Sequence, residues 1–435
     1  MSRNIYWYTA FAALIGIPLN AIAADNADLQ TINEQIQQLK QSDKELEQRL
    51  QQSIRSGAAP SSANSFNPAV AVILSGTYEQ LKQDPAIPAT GFAMNANDTG
   101  YTRGFSLQES ELSIAANIDP QFSGVGTFSL APEGGVSVEN GFVQTSVLGN
   151  GLNLKFGRFF SGLGYLNEQH SHVWDFVDQP LVYRVLWDNQ FADDGVQLKW
   201  LAPTDMFFEI GGELGRGLGF PGTDRSKNGA GAGVLFAHIG DDIGIEQSWR
   251  AGISLQQTRR ENAVSNNVPD LLNTPGGVSN SFTGDSRTAG LDFVWKYSPN
   301  GNIRERYLKV QSEYFRRKED GVLTYNLTTA GSYAVTQSGW YLQSVYQFMP
   351  NWRTGLRYDR LDPGTASVGS SIASDVISNY GFNPTRVTWM TDYNPSEFTR
   401  IRLQLAHDDS RQGLTDNQIL VQYIVSLGAH GAHQY

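Results

Sequence analysis

The sequence predicts an all-β fold, a 16-stranded antiparallel transmembrane β-barrel with an N-terminal periplasmic coiled-coil helix. Three observations lead there. Apolar and polar residues alternate along most of the chain, and the breaks between alternating stretches are long and short in turn. After the first segment, no stretch offers about twenty consecutive apolar residues for a spanning helix.

The N-terminal segment sets the route. Arg3 precedes an apolar run centred on Ala10 to Pro18, and Ala21-Ile22-Ala23 is a small-x-small cleavage signal. This predicts a secretory signal peptide over residues 1–23, whose apolar run is too short to span a bilayer as a helix. An exported chain with no cysteine takes no stability from disulfides and has no thiolate metal site. A closed barrel supplies that stability instead. The 44 glycines, 22 phenylalanines, 18 tyrosines and 9 tryptophans fit a wall greasy on one face and wet on the other. A net charge of -11 argues against nucleic acid as a partner.

Residues 24–56 read differently. Leu29, Ile32, Ile36, Leu39, Leu46 and Leu50 take a and d positions of a heptad, interrupted at Asp43 and Ser53. A short helix of this kind is marginal alone, so an oligomerising stalk is expected. A solitary amphipathic helix is the alternative. Residues 57–67, rich in Ala, Ser and Pro, form a linker.

From Pro68 to Tyr435 the pattern predicts about sixteen strands. The last stretch shows it well: Val387, Trp389 and Tyr393, then Ile401, Leu403 and Leu405, then Ile419, Val421, Tyr423, Val425 and Leu427 take alternate places. Short turn signals fall at Asp119-Pro120, Gly149-Asn150, Pro203-Thr204, Asp241-Asp242, Pro299-Asn300-Gly301, Pro350-Asn351 and Pro395-Ser396. Longer connections are expected at 81–103, 161–192, 218–228, 259–284 and 362–385, intermediate ones at 319–335 and 409–416, and one short exception at 132–135. A barrel has tight turns at one end and longer loops at the other, whereas a β-sandwich has no reason to sort its connections this way. An even strand number returns both chain ends to one side, which places the coiled coil in the periplasm and the barrel in a bacterial outer membrane. The terminal Tyr435 suits recognition of the C-terminal strand by barrel-insertion machinery.

Three blocks carry a resemblance. Gly104-Phe105-Ser106-Leu107-Gln108-Glu109-Ser110-Glu111-Leu112 is the first. The second runs Gly157-Arg158-Phe159-Phe160-Ser161-Gly162-Leu163-Gly164-Tyr165-Leu166-Asn167-Glu168-Gln169-His170 and continues through Trp174-Asp175-Phe176-Val177-Asp178. Asp194-Gly195-Val196-Gln197-Leu198 with Trp200-Leu201-Ala202-Pro203-Thr204-Asp205 is the third. Together they resemble Gram-negative outer-membrane porins related to the phosphate-selective porins O and P, a group often labelled zinc-regulated TonB-dependent outer membrane receptor. The resemblance covers residues 68–435 and implies a trimeric sixteen-stranded channel. It departs from the receptor half of the label: such receptors have about 22 strands around a globular plug, and here only a heptad segment and linker precede the first strand.

Parity assigns the lumen. Glu109, Glu111, Glu139, Glu209, Glu213 and Glu246 take inward places on strands 2 to 9. Lys309, Arg353, Arg357, Arg386, Arg400 and Arg402 take them on strands 11 to 15. This predicts a field across the pore, acidic on one wall and basic on the other. Ordinary wet-facing charges are the alternative.

The 161–192 connection is too apolar for an exposed loop. Tyr165, Leu166, Trp174, Phe176, Val177, Leu181, Val182, Tyr183 and Trp187 need burial, so the segment is expected to fold into the barrel. Packing at a trimer interface is the other reading. Its polar residues, Glu168, His170, His172, Asp175, Asp178 and Arg184, are the candidate constriction residues. His170 and His172, with Glu168 and Asp175 nearby, form a candidate metal pair for which zinc is the cofactor to test. His430 and His433 form a second pair. No HExxH, GxSxG or Walker A motif is present, so no enzymatic activity is expected.

The expected function is passive diffusion of small hydrophilic or charged solutes through a homotrimeric porin seated among outer-membrane lipid and lipopolysaccharide. The alternatives are TonB-coupled uptake of zinc or another metal, and a barrel that tethers the envelope through its coiled coil.

Overall fold

A computed structural model describes residues 68–428 except 95–100, 109, 132–133, 146–147, 224–225, 273, 374–375 and 378–380. The signal peptide, the coiled coil, the linker, Glu109, His430, His433 and Tyr435 lie outside the described residues.

The described chain is a closed antiparallel barrel. Its strands are β1 (Ala69–Gln80), β2 (Gly104–Leu107 and Ser110–Asn117, both paired with β1), β3 (Phe122–Leu130), β4 (Val136–Thr145) and β5 (Leu152–Phe160). There follow β6 (Ala192–Leu201), β7 (Phe207–Gly215), β8 (Ala232–Ile243), β9 (Gln247–Val268), β10 (Val278–Tyr297) and β11 (Tyr307–Tyr325). The set ends with β12 (Thr329–Met349), β13 (Trp352–Asp362), β14 (Thr385–Ser396), β15 (Thr399–Asp409) and β16 (Asp416–Gly428). Each strand pairs with its sequence neighbour. β1 closes the circle on β16, from Ala71 opposite Gly428 to Gln80 opposite Ile419. Closure leaves no unpaired sheet edge, the condition for crossing lipid with strands.

The period of two divides the wall as expected. On β16, Ile419, Val421 and Tyr423 are 41–49% exposed, while Gln418, Leu420 and Gln422 between them are at most 4% exposed. The outward row is apolar and the inward row largely polar, the reverse of a soluble sandwich.

Two connections differ from expectation. The stretches 259–284 and 319–335 are mostly strand: β9 and β10 are joined through 269–277, and β11 and β12 through 326–328 alone. Residues 326–328 form a tight turn in which Asn326 and Leu327 take positive φ. The reason lies outside. Ile253 and Leu255 give way to Gln257 and Arg259 on β9, Leu291 to Arg287 on β10, and Tyr314 to Arg316 and Lys318 on β11. Past the apolar belt the outward face becomes polar, so the alternation that marks a lipid-facing strand disappears while the backbone ladder continues. Asn262 and Asn267, also at positive φ, accommodate the register shifts in that upper part of β9.

The tall β9–β12 hairpins bury a core of their own at the loop end. Ala263, Phe282, Leu323, Tyr333 and Val335 pack with Ala93 and Met94 from the first long loop and with Ile372 and Val376 from the 363–384 loop. A second and larger core lies inside the barrel, around the connection between β5 and β6.

Candidate functional site: the inward-folded loop

The connection between β5 and β6 turns into the lumen as its composition requires. Its base is pinched shut: Ser161 N donates to Phe191 O at 3.0 Å, and the Asn167 amide bonds Ser161 O, Phe191 O and Phe191 N at 2.8–2.9 Å. Gly164 then takes a φ of +66°, where a Cβ would stand 2.2 Å from Glu313 Oε2. That close approach lets the Tyr165 and Leu166 amides donate to the Glu313 carboxylate at 2.9 and 3.2 Å. Tyr183 and Tyr341 hydroxyls donate to the same carboxylate at 2.8 and 2.5 Å. Glu313 was not among the expected site residues, although it holds inward parity on β11.

A short helix, α1 (Leu181–Trp187), follows Pro180 and ends at Asp188 in the left-handed region. Leu181, Val182, Leu186 and Trp187 bury against Val234 and Phe236 of β8, Phe315 of β11, Tyr341 of β12 and Leu361 of β13. Trp187 satisfies its indole N–H on Gln256 Oε1 at 2.8 Å, and Asp359 accepts the Leu181 amide at 3.0 Å. The apolar residues that needed a place are thus buried within the lumen, not at an outer face.

The loop's charged residues divide between the two walls. Asp175 pairs with Lys309 and, at 3.1 Å, with Arg353. Asp178 pairs with Arg386 and, at 2.8 Å, with Arg357, and accepts from Gln404 at 3.1 Å. Arg353 and Arg402 also grip Asp392, while Arg357 reaches Asp359 at 3.0 Å. Arg400 donates to the His172 and Trp174 carbonyls at 3.1 and 3.4 Å. Burial alone would raise the Asp175 carboxyl, but Lys309 and Arg353 outweigh it and hold the pKa down to about 2. Asp178 is likewise opposed by burial and driven well below the ordinary carboxylate range by Arg386 and Arg357. Arg184 lies over the Tyr101 ring, 4.4 Å from its centroid, and donates to its hydroxyl at 3.0 Å.

On the other wall, His172 Nδ1 lies 2.9 Å from Glu111 Oε1. His170 Nδ1 lies 3.5 Å from Glu111 Oε2 and 3.2 Å from Glu139 Oε2. Donor atoms of Glu111, Glu139 and His170 all fall within 4.8 Å of one another. The loop therefore presents acids to the basic wall and imidazoles to the acidic wall.

This revises three expectations. The two walls do not face each other across open water at the level of the loop, because the loop brings complementary charge to each. The candidate metal partners of His170 and His172 are not Glu168 and Asp175: Asp175 is held by Lys309 and Arg353, and Glu168 is in electrostatic reach of Lys155 and Lys199. Glu246 sits in the β8–β9 turn, where it accepts from the Asn300 amide at 2.8 Å, instead of lining the lumen. Glu209 and Glu213 do face inward. Glu209 pairs with Lys199 and His238 at 3.3 Å, and Glu213 accepts from the Gly162 amide at 2.8 Å.

Nor is the β2–β9 side purely acidic. Lys155, Lys199 and Arg250 take inward parity there, as Lys296 does on β10, all within three residues of the strand ends that carry the short turns. Lys309, Arg353 and Arg400 lie equally close to those ends on β11, β13 and β15. The turn-side mouth thus carries a partial ring of cations, from β5 round to β15. Parity alone could have found Lys155, Lys199, Arg250 and Lys296.

A closed sixteen-strand barrel with an apolar outer belt and a loop folded inward from the end of the fifth strand is the architecture of outer-membrane barrels. Among solved structures, the chain is similar to a loop L8 deletion mutant of OmpT, an outer membrane protein of Vibrio cholerae. That match has a TM-score of 0.51 at 13% identity and covers 83% of this chain and 99% of that one. The in-vitro folded OmpT of the same organism, in its trimer form, gives 0.50 at 13% identity with the same coverage. In sequence, the chain is 29% identical over 413 residues to an uncharacterized protein of Aquifex aeolicus, covering 87% of this chain and 82% of the relative. No family model matches.

Proposed function

We propose that the protein is an outer-membrane porin that passes small hydrophilic solutes down their gradient and favours anions. The observation that carries the reading is the loop 161–191, folded into a closed barrel and bonded to both charged walls. It narrows the lumen with a segment of the barrel's own chain, between β5 and β6. The anion preference rests on the turn-side ring, where Lys155, Lys199, Arg250, Lys296, Lys309, Arg353 and Arg400 exceed by one the carboxylates within their electrostatic reach, Glu168, Asp175, Glu209, Glu213, Asp292 and Asp392. Such a ring concentrates anions by its field and lowers their entry barrier.

A homotrimer is the assembly we favour, supported by the trimer form of the similar Vibrio barrel. Kinship with the phosphate-selective porins O and P belongs to the same proposal, because the most specific block of resemblance, residues 157–178, forms the end of β5 and the first half of the constricting loop.

Purified protein in a planar bilayer should conduct in steps. Under a potassium chloride gradient the reversal potential should have the sign of chloride preference. Lys199→Gln with Lys296→Gln should move that potential toward zero by several millivolts or more. A folded, heat-modifiable protein with no conductance would overturn the porin reading, and a cation-selective wild type would overturn the anion preference alone.

A further inference from the structure

We propose that Glu111, Glu139 and His170 form a binding site for one divalent transition-metal cation, which fastens the inward loop to the barrel wall. His170 Nδ1 lies 3.5 and 3.2 Å from one carboxylate oxygen of each glutamate. A tetrahedral site with bonds of roughly 2.1 Å has ligand–ligand edges of about 3.4 Å. Two edges are therefore already in place. The third pair of atoms, within 4.8 Å, has only to draw inward.

The surroundings are built for such a site. The Glu111 side chain is fully buried and that of Glu139 is 7% exposed, yet the Oε2 atom of each accepts no hydrogen bond among the described residues. Ser171 Oγ and His172 Nδ1 occupy the other oxygen of Glu111, at 3.3 and 2.9 Å, and so orient Oε2 toward His170. Glu139 reaches the lumen through a β-bulge. Thr127 opposes Asn140 and Phe128 opposes Val138, which leaves Glu139 as the extra residue. Glu139 and its neighbour Asn140 thereby both address His170, with Asn140 Nδ2 2.9 Å from Nε2.

Imidazole with two carboxylates suits zinc, manganese or ferrous iron, and not calcium, which prefers six or more oxygens. To ligate through Nδ1, His170 must be without its proton there. Its Nε2 then carries the hydrogen, and the Asn140 amide turns to accept it, giving up the bond that its oxygen receives from the Phe160 amide. The remaining coordination positions fall to water or to His172, whose ring is stacked 5.8 Å from that of His170.

The test is independent of conductance. The full barrel in detergent, stripped with chelator, is titrated with Zn²⁺ and separately with Mn²⁺ by equilibrium dialysis and metal analysis at pH 7.5. One equivalent per chain is expected. Glu139→Gln and His170→Asn should each weaken binding at least tenfold while heat-modifiable mobility reports a folded barrel, and His430→Ala with His433→Ala should leave it intact. Should either site variant misfold, protection of wild-type His170 from diethylpyrocarbonate by Zn²⁺, read by mass spectrometry, serves as the second measurement. Absence of binding or of protection in the wild type, or unchanged binding in the folded site variants, would overturn the proposal and leave an ordinary histidine–carboxylate ion pair.

Discussion

At the scale of single residues, Asp178 carries the most. Its carboxylate answers two buried arginines from different strands, Arg357 and Arg386, and the Tyr101 hydroxyl as well. Asp178→Asn keeps the shape and removes the charge, leaving Arg357 with Asp359 alone and Arg386 with only the more distant Asp408, at 3.9 Å. Breaking a buried pair this way costs about 3–5 kcal/mol. We expect the loop to become cleavable by trypsin at Arg184 in the folded barrel, with the unfolding midpoint in urea lowered. Asp175 gives a pH test. Its folded pKa of about 2 lies below the ordinary value near 3.9 of an unfolded aspartate. Its stabilising contribution is therefore complete above about pH 4 and lost as the pH falls toward 2, to the extent of about 2–3 kcal/mol. The fluorescence of the neighbouring Trp174 should hold steady from pH 7 to about 4 and change between pH 4 and 2. A transition near pH 6 would show that some other group holds the loop.

Among the elements, the loop and the tall hairpins are the informative pair. Replacing residues 165–187 with a short Gly-Ser link removes α1 and both electrostatic anchors. Single-channel conductance should then rise several-fold, with the anion preference proposed for the turn-side ring retained. Most of the barrel was legible in the sequence because lipid imposes a strict rule: Ile419, Val421 and Tyr423 must all be apolar, and they alternate with residues that need not be. The inward loop was legible for a related reason, since Trp174, Phe176 and Trp187 could not stay in water. What escaped lay where that rule lapses. Above the belt Arg287, Arg316 and Lys318 replace the apolar row, so the upper halves of β9–β12 read as loops. Partners across the lumen were also illegible. Nothing local links Asp175 to Arg353, 178 positions away, or says that a bulge turns Glu139 toward His170. Lys155, Lys199, Arg250 and Lys296 follow from the same inward parity as the glutamates on β7.

At the scale of the whole molecule, two facts combine. The wall closes on itself, and one segment crosses its interior with a hand on each side, imidazoles against Glu111 and Glu139 and carboxylates against Lys309, Arg353, Arg357 and Arg386. A sixteen-strand cylinder is a thin shell, and thin shells under uneven side pressure flatten toward an ellipse. A strut fixed to opposing walls resists that flattening in both directions, because the ion pairs oppose spreading and the packed helix opposes collapse. Under the porin reading, the loop then sets the shape of the pore as well as its width. A loop-deleted barrel should conduct more but also more noisily, with larger open-channel fluctuations and a heat-modifiability midpoint several degrees lower, and both changes should be stronger in thick or laterally compressed bilayers than in thin fluid ones.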